Sequence, residues 1–175
     1  MFAEARPRSG ATPDRVTRIE TNVVPAGAAS HPQSRLLIDF WERHRKDGRL
    51  LSRSELPCRE AASLLPSIFM LEPTNAAADD WRLRVVGTTL TRWLDFDPTG
   101  MSISEFYHPD HIAHNAGIYR MVTSEKQPHV TQGRLCGVNR DFLRLEIVHL
   151  PMEGKTPDEI LLLGCISIFG EGDGD

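Results

Sequence analysis

No apolar run in this sequence approaches the roughly 20 residues that a membrane-spanning helix needs. The longest, Ile160 to Ile168, is broken by Gly164, Cys165 and Ser167. A membrane is therefore not an expected partner. Cysteine is scarce: Cys58, Cys136 and Cys165 are odd in number and far apart, which suits neither a disulfide framework nor a C-x-x-C metal site. A reduced, cytoplasmic setting is the expectation. Charge of one sign is scarce too. The net charge of −4 comes with no basic stripe, so nucleic acid is not an expected partner either. Catalytic signatures are missing as well. There is no G-x-S-x-G elbow, and Gly133 and Gly137 flank Arg134 without the glycine spacing that cradles phosphates. The acid pairs Asp79-Asp80 and Asp95/Asp97 fall in turns, where solvation and turn chemistry account for them. No catalytic residues are assigned.

What is present is ordinary globular material, 40% hydrophobic and 25% charged over 175 residues. Residues 1–30 are rich in proline, glycine and alanine without an apolar period and read as a flexible leader. Residues 31–170 read as the domain, and the glycine-rich residues 171–175 as a disordered tail. Within the domain, Leu37, Phe40, Trp41 and His44 recur at helical spacing over Ser34 to Lys46, stopped by Gly48. A short helix is expected after Pro57. Ser67 to Glu72 and the alternating Trp81 to Val86 read as a hairpin around the polar turn Asn75 to Asp80. Thr88 to about Leu94 is a short helix. His108-Pro109-Asp110 opens a long helix that ends before Pro128, with proline early and an acid in the first turn. Strands follow at about 129–137, 141–150 and 159–169. The expected architecture is α+β: a five-stranded antiparallel sheet with helices on one face and the N-terminal helix packing outside.

The last strand adds a constraint. Asp141 to Ile147 alternates, with Leu143, Leu145 and Ile147 inward and Arg144 and Glu146 outward, but Ile160-Leu161-Leu162-Leu163 has no polar face. Such a strand is covered on both sides. The Ser34 to Lys46 helix and a second copy of the chain both qualify as the second cover, so a homodimer is expected.

Candidate chemistry is sparse. His108, His111 and His114 lie at spacing three, about 60° apart around a helix, so they spread over a third of its circumference. A solvated first turn with His108 near the cap position competes with a metal or haem reading. Cys165 reads as packing. Trp81, Trp93, Phe96, Phe106, Tyr107 and Tyr119 fall where short helices cross the sheet, the usual makeup of a small-ligand cavity and also of a plain core. Arg134 and Arg144 on neighbouring strands suit an anion, or a cross-strand pairing with an acid such as Glu146.

Several segments carry a family resemblance when taken in order. They are Phe40-Trp41, the stretch Arg49 to Pro57, Leu65-Pro66, Ile68 to Leu71, Trp81-Arg-Leu-Arg-Val-Val-Gly-Thr88, Asp97 to Gly100, and Leu150-Pro151. Together they resemble a bacterial family of short PAS domains long catalogued as a domain of unknown function, over about residues 34–169. The R-x-R-x-x-G-T piece is the most specific. Leu51 stands where proline is expected, and the turn Glu153 to Asp158 is longer than the pattern. The resemblance implies a cavity between sheet and helices, dimerisation through the N-terminal helix, and a sensory or protein-interaction role in bacterial signalling. It implies no established ligand and no catalytic residues, so the cofactor is unknown. The candidate ligand-binding residues are Arg84, Thr88, Trp93, Tyr107, His111, Tyr119 and Arg134. Flavin photochemistry is not expected, because Asn139-Arg140-Asp141-Phe142-Leu143 lacks the reactive cysteine. Partners are a small molecule or a signalling protein. Two other readings stand beside this one. One is a small enzyme on a cone-shaped α+β barrel with His111 as base; the other is a haem sensor using His111 or His114.

Overall fold

The computed structural model describes residues 20–136, 143–156 and 158–170. Six strands form one antiparallel sheet: β1 (Glu20–Ala26), β2 (Ile68–Pro73), β3 (Trp81–Val86), β4 (His129–Cys136), β5 (Leu143–Glu153) and β6 (Ile160–Ile168). Their order across the sheet is β1-β4-β5-β6-β2-β3. Two consecutive hairpins, β4-β5 and β5-β6, would by themselves place β6 at an edge. Instead β2 pairs with β6, Ile68 opposite Cys165 and Leu71 opposite Leu162, so the last strand sits inside the sheet. The helices are α1 (Pro32–His44), α2 (Thr88–Leu94), α3 (Ile103–Phe106) and α4 (Pro109–Glu125). None among the described residues is long and apolar enough to cross a membrane.

The α+β plan is as expected, with one strand more. Glu20–Ala26 lies in the stretch read as leader, yet it pairs along its whole length with β4, Glu20 opposite Cys136 and Ala26 opposite Val130. It turns Val23 into the core and leaves Val24 on the other face, 60% exposed. The segment after Pro57 is also different from expectation. It is a run of turns ending in a single 3-10 turn, Leu65–Ser67. Ala61 O accepts from both Leu64 N and Leu65 N, and Pro66 has no N–H to carry a helix further. The expected turn Gly137 to Arg140 and the tail 171–175 lie outside the described residues.

Two apolar layers flank the sheet. On the inner face Phe69, Leu71, Leu83, Leu145, Ile147 and Leu162 meet α2, α3 and α4. On the outer face Met70, Val148, Leu150, Leu161, Leu163 and Cys165 meet α1 through Leu37, Phe40 and Trp41. Each such side chain contributes roughly 2 kcal/mol by burial. Trp41 is also fixed by its indole N–H, which donates to Pro151 O at 2.7 Å. The double burial of β6 is thus satisfied within one chain, and it supplies no motive for a second copy. Cys165 is packed under α1 beside Ser167, and burial pushes its thiol up to about 11.

The start of α1 corrects the outward reading of Glu146. His31 caps the helix, its ring accepting from Gln33 N at 3.2 Å, and Pro32 takes the first helical position. Glu146 does point to the outer face, but there it is fully buried under this helix end. Its carboxylate accepts from Ser30 N and His31 N, both at 2.9 Å, from Ser30 Oγ at 2.8 Å and from Gln132 Nε2 at 2.7 Å. Burial alone would push this carboxyl up. Hydrogen bonds from Ser34, Ser30, Gln132 and His31 override it and hold the group down at about 2. No arginine is involved: Glu146 stands opposite Gln132, while Arg134 and Arg144 stand opposite each other.

Candidate functional site

Between the inner face and helices α2 to α4 lies a cavity of about 60 Å³. Leu83 from β3, Leu145 and Ile147 from β5, and Ile166 and Ile168 from β6 form its floor. Its roof and mouth come from Leu90, Trp93 and Leu94 on α2, Ile103 and Phe106 on α3, and Tyr107 and Tyr119. The alternation of the strands aims these side chains to one face, and Gly87 lets α2 start close against the Leu65–Ser67 turn. A Cβ at Gly87 would collide with the backbone of Leu65 and Pro66, so only glycine fits there.

Polar groups in this lining are few. The Tyr107 and Tyr119 hydroxyls hydrogen-bond to each other at 3.2 Å. Burial pushes both phenols above their ordinary value, Tyr119 further than Tyr107, so both stay neutral. Trp81 closes the layer edge-on to Tyr119, with ring centroids 5.6 Å apart, and donates its indole N–H to Ala78 O. The surface can therefore bind apolar shape and offer one neutral hydroxyl pair. It presents no charged group to a ligand.

The expected residues divide clearly. Trp93, Tyr107 and Tyr119 meet in the cavity wall. Arg84 does not: it points to the other face of β3, exposed, and pairs with Glu72 at 3.4 Å. Thr88 is exposed at the start of α2, next to an open groove beside Pro57, Leu65 and Pro66. Arg134 is exposed on the outer face beside Arg144, whose guanidinium lies 5.1 Å from the Phe169 ring centre. No acid pairs with either arginine among the described residues.

His111 is half-buried in the first turn of α4 and does not line the cavity. The three histidines at this helix start serve separate ends. His108 caps α4, accepting from Asp110 N at 3.4 Å, and His114 Nε2 lies 3.2 Å from Val23 O on β1. His111 meets His108 only edge-on, with ring centroids 6.1 Å apart. No group of three metal-ligating side chains comes together among the described residues.

Sequence reasoning missed the aliphatic wall, although Leu145 and Ile147 were already placed inward. It also missed His149, two residues further along the same face. This ring is buried on β5, 5.7 Å from Tyr119 and 6.4 Å from His129 between centroids. Burial and the neighbouring His129 push it down to about 3, so it is neutral.

A family model described as PAS domain matches residues 29–167. Among solved structures, a tryptophan-to-alanine variant of the Drosophila melanogaster Cycle PAS-B domain with bound glycerol matches at 17% identity and a TM-score of 0.45. The match covers 59% of this chain and 99% of that one. No curated protein matches.

Proposed function

Because the chain belongs to the PAS domain family, we propose that it is a sensory or interaction module of bacterial signalling whose inner cavity takes a small, uncharged, largely apolar molecule. The observation that carries this reading is the lining itself. A preformed cavity bounded by aliphatic and aromatic side chains, with the Tyr107–Tyr119 pair as its polar group, is suited to bind and unsuited to do acid–base chemistry. The position of His111 outside that lining favours the sensor over an enzyme with a histidine base. A signal would leave through the N-terminal elements, which among the described residues hold the exposed large apolar side chains, Val24 on β1 and Leu36 on α1. We assign contact with a partner protein, or with a second copy of this chain, to that surface. Light scattering at micromolar concentration separates the two, a monomeric mass removing the homodimer.

Chemical-shift mapping tests the cavity. On titration with a small apolar probe such as 1-chlorobutane, the signals of Trp93, Tyr107, Tyr119 and Ile147 are expected to move together and saturably. Those of Arg84, Thr88 and Arg134 are expected to stay in place. Saturable shifts confined to the second group would remove the cavity reading.

A further inference from the structure

We propose that the cavity ligand is a small neutral amphiphile whose polar head is held by His129, Thr131 and His149 on the inner face of β4 and β5. This rests on the cavity reading above and specifies the chemistry of what binds.

Register brings the three together. His129 stands opposite His149, and Thr131 opposite Ile147, so all three side chains occupy one patch of one face. Thr131 and His149 are 0% and 2% exposed. Thr131 Oγ1, His129 Nε2 and His149 Nδ1 are all buried without a protein hydrogen-bond partner among the described residues. Each orphaned buried polar atom costs roughly 1–3 kcal/mol, so three in one patch are an expensive arrangement for a merely structural layer. An apolar side chain at Thr131 would remove part of that cost at constant shape.

The patch adjoins the cavity wall. The His149 ring lies 5.7 Å from that of Tyr119 and 6.4 Å from that of Phe69, and both of these line the cavity, as does Ile147. Phe69 both meets the His149 ring and lines the cavity. The tip of its ring, Cζ with both Cε atoms, sits against Gly164, where an added Cβ would collide with it. In the proposed complex this ring would turn aside to let the head group reach the patch.

The atoms define the head group. A neutral imidazole nitrogen donates or accepts according to tautomer, and a threonine hydroxyl does both. They match a group that also does both: an alcohol, an amide or an un-ionised acid. An ionised head would lose its hydration with only neutral groups to replace it. The cavity then takes the apolar body.

The test compares butan-1-ol with 1-chlorobutane, which has nearly the same shape but no hydroxyl, by titration followed in amide and imidazole nitrogen signals. Butan-1-ol is expected to bind about tenfold more tightly, the worth of one well-made buried hydrogen-bond set. It should also move the His149 and His129 ring nitrogens, which 1-chlorobutane leaves unmoved. In Thr131→Val the preference should shrink to about threefold, with 1-chlorobutane binding unchanged. Equal binding of both probes overturns the polar anchor and leaves the cavity reading standing. Binding of neither removes the cavity reading and this inference with it. A preference retained in Thr131→Val, with silent ring nitrogens, places the head at the Tyr107–Tyr119 pair and also overturns the proposal.

Discussion

Glu146→Gln is expected to lower the stability of the protein by about 3 kcal/mol at neutral pH, the scale set by leaving buried donors facing the wrong partner. The carboxylate is bound by the backbone N–H groups of Ser30 and His31, by the Ser30 hydroxyl and by the Gln132 amide. It also sits at the positive end of α1. An amide of the same size turns at least one N–H toward those donors. The loss should be local before it is global. Hydrogen exchange of α1 amides should accelerate more than that of β2 and β6, because Glu146 is what ties the helix start to the sheet. Denaturant melts of the two proteins measure the cost. A change below about 1 kcal/mol would mean that the helix end is held by Trp41 and its neighbours alone. By contrast, Arg84→Ala breaks only the half-exposed pair with Glu72 and should cost no more than about 1 kcal/mol.

The second large effect is acid sensitivity. His149 is held down at about 3 against an ordinary value of 6.5, and burial also lowers His129, with Glu125 partly opposing it. Below pH 6.5 the unfolded chain takes a proton on His149 that the folded chain refuses, so stability falls as pH drops from 6.5 toward 3. Glu146 acts in the same direction lower down. Its folded value of about 2 lies below the ordinary 4.5, so its contribution, complete above 4.5, is lost as pH falls toward 2. Denaturant melts should therefore show stability declining from pH 6.5, by a few kcal/mol in all, and steepening below 4.5. His149→Phe should flatten the upper limb and leave the lower one. An unchanged upper limb in that variant would show that His149 takes its proton without unfolding.

Much of the fold was legible because its cores are periodic. Leu37, Phe40 and Trp41 mark α1, Trp81 and Leu83 alternate with Arg82 and Arg84, and the unbroken apolar start of β6 correctly demanded cover on two sides. β1 was illegible. Its sequence contains Pro25, its one core residue among those described is Val23, and it becomes a strand only by pairing with β4. Glu146 was misplaced for a related reason. Alternation fixes which face a side chain takes, but an outward face that α1 covers is no longer solvent. In the site, the aromatic residues carried usable information, and Trp93, Tyr107 and Tyr119 do share the cavity wall. Arg84 and Thr88 lie in the R-x-R-x-x-G-T piece, and such a piece does not say which way a side chain points. The alternation of β3 already sent Arg84 away from the core. His149 was overlooked because a lone histidine among apolar residues carries no local signal, although its parity with Leu145 and Ile147 placed it inward.

Native mass spectrometry of the freshly purified protein, sprayed under gentle conditions, tests the central claim most directly. The expected spectrum shows a fraction of the chain carrying one small uncharged adduct, released at low collision energy. Gly164→Ala, whose added Cβ collides with the tip of the Phe69 ring in the cavity wall, should alter the retention of that adduct while the protein remains folded. A bare mass for the wild-type protein, with no uptake of butan-1-ol or 1-chlorobutane added before spraying, would contradict it.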